Sequence, residues 1–194
     1  MAEEIVSFWN DEGKGMPLSV IVPGGTCTTA MLLSREINVL VKEKVGTEES
    51  EEDMNLDIEV VVVPCVGDAT YAFRQMRALD LSTGGNGRDN IPIILQPLKR
   101  KGYFRFGEPD AKILETFTKM KDEYDVYLDL LYGAPAWNII LQHWEIAKYG
   151  SNSDESPLKG RQIMYVHSGG LEGVSSQLTR YKHKGLVDSG QVQN

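Results

Sequence analysis

The chain has 194 residues, 41% of them hydrophobic and 25% charged, and a formal net charge of −8. This length predicts one domain able to bury a core. The acid excess argues against a nucleic-acid groove, which needs clustered Lys and Arg, and no apolar run approaches the roughly 20 residues of a membrane-spanning helix.

The first predicted element is a buried strand, the apolar run Leu18-Ser19-Val20-Ile21-Val22. Met31-Leu32-Leu33-Ser34-Arg35-Glu36-Ile37 has helical periodicity and predicts a helix over 30–44. Residues 44–56 carry the run Glu48-Glu49-Ser50-Glu51-Glu52-Asp53 and read as an acidic flexible loop. Ile58-Glu59-Val60-Val61-Val62-Val63 predicts a parallel strand buried on both faces. Asp68 is placed to cap a helix over 69–79, whose Tyr71, Ala72, Met76 and Leu79 share a face. A loop over 82–87 precedes a strand at 91–95. A helix at 110–120, a strand at 126–131 and a helix at 135–149 follow. After a polar loop at 150–160 come a strand at 162–167, a helix at 171–181 and a polar tail at 187–194. The expected fold is α/β: a doubly wound, mostly parallel sheet of about five strands in three α/β/α layers.

The glycine-rich stretches fall at the carboxyl ends of strands, where such sheets bind ligands. They are Gly24-Gly25-Thr26, Cys65-Val66-Gly67-Asp68, Tyr132-Gly133-Ala134-Pro135 and His167-Ser168-Gly169-Gly170. The first has the most definite chemistry. Strand, glycine turn and helix start together make an anion cradle, to which Thr26, Thr28 and Thr29 add hydroxyls. The turn is no Walker A loop, because no Gly-Lys-Ser/Thr follows, and it lacks the Gly-x-Gly-x-x-Gly fingerprint. His167 reads as a structural histidine at a strand end, and His143 and His183 lie on helices with no evident partner. Cys27 and Cys65 have no metal-ligand spacing. They read as reduced thiols, and the acidic start lacks a signal peptide's features, so an intracellular, cytoplasmic or organellar setting is expected, with no metal.

Four motifs, in this order, carry a family resemblance. They are Gly24-Gly25-Thr26-Cys27-Thr28-Thr29-Ala30, Phe106-Gly107-Glu108-Pro109, Leu128-Asp129-Leu130-Leu131-Tyr132-Gly133-Ala134-Pro135 and Tyr165-Val166-His167-Ser168-Gly169-Gly170. Over about residues 17–186 the chain resembles the C-terminal portion of the pyridoxal-phosphate enzymes that include 1-aminocyclopropane-1-carboxylate deaminase and D-cysteine desulfhydrase. The resemblance implies a single domain over 1–194 forming one half of a tryptophan-synthase-β-like fold. It implies pyridoxal 5′-phosphate as cofactor, its phosphate held by Gly24, Gly25, Thr26, Cys27, Thr28 and Thr29. Ser168 would meet the pyridine nitrogen, and Tyr132 would be the catalytic tyrosine. The implied reaction is α,β-elimination or deamination of a small amino acid.

In that family the Schiff-base lysine lies in a segment upstream of the phosphate loop. That segment is expected to be absent here, Lys14 being the only lysine before the loop. Phe106 stands where the deaminase has a second tyrosine, and Gly133 where relatives carry threonine or glutamate. The resemblance therefore implies weak cofactor binding and little activity by the chain alone. An apolar surface near Phe104, Phe106, Tyr132 and Trp137 is expected to recruit a partner chain or a second copy. The alternative expectation is a non-catalytic module that binds a phosphate ligand or a partner. A Rossmann-like nucleotide domain is disfavoured, because no acidic residue follows a proper fingerprint.

Overall fold

The β-branched runs make the centre of the sheet. A computed structural model describes residues 1–47, 56–98, 102–149 and 156–187, and in it β1 spans Leu18–Gly24 and β2 Ile58–Pro64. They pair in parallel from Leu18 opposite Ile58 to Gly24 opposite Pro64. Two short strands, β3 (Ile93–Ile94) and β4 (Gln162–Tyr165), also pair in parallel and complete the order β3-β2-β1-β4. Pro92 and Pro97 flank β3; proline has no N–H for a ladder, which keeps that edge strand short.

Alternation along β1 and β2 divides the core. Val20, Val22, Val60 and Val62 pack with Met31 and Ile37 of α2 (Thr28–Thr47), Met76 of α3 (Ala69–Ser82) and Ile5 and Val6 of α1 (Ala2–Glu12). Ile21, Val61 and Val63 point to the opposite face, against Ala136, Ile139 and Ile140 of α5 (Gly133–Tyr149). Beyond them, Ile113 and Met120 of α4 (Ala111–Tyr124) and Tyr181 of α6 (Val174–His183) gather with Leu128 and Leu130 in a further cluster. Helices thus cover both faces of a parallel sheet. No helix among the described residues is long and apolar enough to cross a membrane.

Several boundaries follow local chemistry. Asp68 and Asp110 cap α3 and α4 by accepting from Tyr71 N and Lys112 N. The helix α1 has no counterpart among the predicted elements. Its acids Glu3 and Glu4 sit in the first turn, where the helix dipole favours them, while Ile5, Val6 and Trp9 face the core. The strand expected at 126–131 does not form. The Asp129 carboxylate accepts from Leu131 N (2.8 Å), Tyr132 N (2.7 Å) and Gly133 N (2.8 Å), which turns the chain into α5. The helix expected at 171–181 begins instead as a 3-10 turn over Leu171–Gly173, and α6 follows it. Val187, expected in a polar tail, is buried with the α4 and α6 cluster; residues 188–194 and most of the acidic stretch, 48–55, lie outside the described residues.

The amino ends of β1, β2 and β4 are clamped by Arg161. Its guanidinium reaches Asp57 (2.8 Å), Glu59 (2.9 Å), Ser19 Oγ (3.0 Å) and Leu18 O (2.8 Å). Hydrogen bonding to Arg161 lowers the pKa of Asp57, whereas burial raises that of Glu59.

Candidate functional site

The strand order fixes where a ligand can enter. The chain runs from β1 out to β2 and β3, then crosses to place β4 on the other side of β1. The carboxyl ends of β1 and β4 therefore border the point where the winding reverses, the usual ligand crevice of such sheets. A crevice of about 400 Å³ lies there, walled by residues 23–30, Tyr132 and Ser168-Gly169-Gly170. It brings together every site residue expected from the sequence: Gly24, Gly25, Thr26, Cys27, Thr28, Thr29, Tyr132 and Ser168.

The floor is the β1–α2 turn. Cys27 has φ of 61°, a left-handed conformation, and α2 starts at the next residue. A left-handed residue followed by a right-handed one aims successive main-chain N–H groups into one hollow, an anion-binding nest. The first amides of α2 have no intrahelical acceptor and add to it. Thr26 Oγ1 and Thr28 Oγ1 lie 3.0 Å apart at the rim. The Cys27 thiol is buried in the core under α2, and burial pushes its pKa up to about 11. Gly24 must be bare: a Cβ there would stand 2.7 Å from both Cys27 Sγ and Val62 Cγ2.

Tyr132 forms a side wall. A Cβ on Gly25 would lie 3.3 Å from its hydroxyl, so the glycine lets the phenol ring settle over the turn. Phe106, half exposed, packs beside it at 5.4 Å between ring centroids. Of the four aromatics expected at an open surface, Phe106 is exposed, Tyr132 and Trp137 are half-buried, and Phe104 is buried. Burial raises the pKa of Tyr132. From behind, Cys65 N donates to Gly24 O (2.8 Å) and Cys65 Sγ reaches Tyr132 O (3.5 Å). The third wall, with Ser168, rests on two successive left-handed glycines, Gly169 (φ 86°) and Gly170 (φ 91°). His143, which had no evident partner in the sequence, bonds through Nε2 to Gln96 O at 2.7 Å and is buried away from the crevice.

The arrangement fits one half of pyridoxal 5′-phosphate and not the other. The nest and hydroxyls suit its phosphate. Its aldehyde calls for a positioned amine, and among the described residues no lysine lines the crevice. Lys14 is exposed in the turn before β1, at the opposite end of the strand. Seven residues of strand put it about 20 Å away. No protein-family model matches the chain, and no curated protein matches it.

Proposed function

We propose that the crevice binds the phosphate of pyridoxal 5′-phosphate, and that the domain is of the deaminase and desulfhydrase type, one half of a tryptophan-synthase-β-like α/β/α fold. The observation carrying this reading is the Cys27–Thr28 nest placed at the reversal point of the sheet. When bound, the cofactor supplies an electron-withdrawing ring for chemistry at the Cα of a small amino acid. In this chain Gly24 to Thr29 bind the phosphate, Ser168 faces the ring edge, and Tyr132 walls the side on which an amino acid would sit. The amine must come from outside these residues. Without it, the chain binds weakly and catalyses nothing. Two free, buried thiols suit a reducing intracellular compartment, cytoplasmic or organellar.

Calorimetric titration tests the site. Hydrogen bonds to a charged group contribute about 1.5–3 kcal/mol each, and no covalent bond adds to them. Affinity for pyridoxal 5′-phosphate in the micromolar to millimolar range is expected, with sulfate competing. The double variant Thr26→Val/Thr28→Val should weaken it about a hundredfold or more. Pyridoxal binding as well as its phosphate would show that the loop is no phosphate site.

The lack of a lysine among the described residues lining the crevice favours a second reading, a non-catalytic module that holds a phosphate ligand without covalent attachment. Borohydride separates it from a complete enzyme. Reduction in the presence of pyridoxal 5′-phosphate should leave only scattered surface adducts on the chain alone. A single stoichiometric pyridoxyl-lysine in the peptide map, at Lys14 or elsewhere, would overturn the claim that the site lacks its amine.

A further inference from the structure

His167 makes two hydrogen bonds that together fix its tautomer. Gly169 N donates to its Nδ1 at 3.2 Å, and its Nε2 lies 2.7 Å from Tyr127 O. A nitrogen that accepts carries no proton. The single proton of the neutral ring therefore sits on Nε2 and is donated to the carbonyl. These two contacts belong to different walls of the crevice. Gly169 is the middle of the Ser168–Gly170 wall, while Tyr127 begins the segment that carries Asp129 and ends at Tyr132. The walls also meet at Gly170, where a Cβ would stand 3.3 Å from Asp129 Cβ.

We propose that His167 is a positioning residue: in its Nε2–H tautomer it ties the Ser168–Gly170 wall to the segment bearing Tyr132, and so sets the width of the crevice for a ring-bearing phosphate ligand. Two adjacent left-handed glycines, Gly169 and Gly170, give that wall backbone freedom. The imidazole is the side chain that limits it. The inference rests on the phosphate-site reading above. It assigns to His167 a role that bare anion binding on the β1–α2 turn does not need.

Two substitutions separate the bonds. In His167→Gln the amide nitrogen reaches toward Tyr127 O, but no acceptor remains for Gly169 N–H. In His167→Asn the side-chain oxygen stands near the position of Nδ1 and accepts from Gly169. Because His167 is exposed, both variants should fold, and their melting curves check this. Nitrogen-15 spectra of the unliganded protein near neutral pH should show Nδ1 bare and Nε2 protonated. His167→Asn, which loses the bond across to Tyr127 O, should weaken pyridoxal 5′-phosphate about threefold to tenfold, His167→Gln, which keeps it, should stay within about twofold of the wild type, and sulfate should change less than about twofold in either. A proton on Nδ1, unchanged cofactor affinity in His167→Asn, or an equal loss in His167→Gln overturns the proposal. A wild-type chain that binds neither sulfate nor pyridoxal 5′-phosphate overturns the phosphate-site reading and the ligand half of this one. The tautomer is read without ligand, so a crevice that binds nothing and a wrongly assigned His167 give different results.

Discussion

Replacing Asp129 with alanine is expected to lower stability by about 3–5 kcal/mol, more than the loss of an ordinary helix cap, which is about 0.5–2 kcal/mol. An ordinary cap holds one amide or two. The buried Asp129 carboxylate accepts from three, and hydrogen bonds to a charged group contribute about 1.5–3 kcal/mol each before the freed amides find water. For a domain of this size the melting temperature should fall by about 6–20 °C. Asp129→Asn grades the effect. Leu131 and Tyr132 share Oδ1 and can keep their acceptor, while Gly133 loses Oδ2 and meets an amide group instead. About half the loss is expected. The same variants should weaken ligand binding, because Tyr132 is placed by the turn that Asp129 holds. A change below about 1 kcal/mol in denaturant unfolding of Asp129→Ala would sink this account.

Arg161→Met should cost about 2–3 kcal/mol at neutral pH. This lies below the 3–5 kcal/mol of a fully buried pair, because Asp57 is half exposed and its share is screened. The pH dependence follows from the two carboxylates. Asp57 has a lowered folded pKa, so its contribution is present above the unfolded value and is lost as pH falls through the folded one. Glu59 has a raised folded pKa, so its favourable contribution lies below the unfolded value and is lost as pH rises through the folded one. Without the guanidinium, Asp57 no longer gains from ionising, and Glu59 carries its buried charge uncompensated. The gap between wild type and variant should therefore be largest near pH 7 and shrink toward about pH 4. Urea midpoints at the two pH values measure it. A gap that widens on acidification would mean that Glu59 is not the group left exposed to the loss.

What the sequence conveyed depended on whether the deciding forces were local. Residues 18–22 and 58–63 read as strands because a central parallel strand is apolar on both faces, and β1 and β2 are central. Helix α3 was legible from its Asp68 cap. Residues 126–131 look like a third such run, yet Asp129 within it binds amides ahead of itself, and that decision rests on side-chain geometry that periodicity does not carry. In α1 the acidic start masked a short apolar face that is satisfied only by packing on α2. The crevice residues were found through turn chemistry, since glycines and hydroxyls at a strand end have a local reason to be there. The bonds of His167 to Tyr127 and of His143 to Gln96 span 40 and 47 residues and left no trace in the pattern.

Because β4 pairs with β1 and Arg161 reaches back 142 residues to Ser19, the sheet is closed only once the residues between them have been made. At about 5–20 residues per second, one side of β1 waits on the order of ten seconds on the ribosome before its partner emerges. During that time α1, α2, β2 and α3 can assemble against one face, but β1, a central strand of the finished sheet, keeps a bare edge. The nascent chain is thus most vulnerable to mispairing along the strand that later supports the phosphate turn, and the completed crevice marks the end of that exposure.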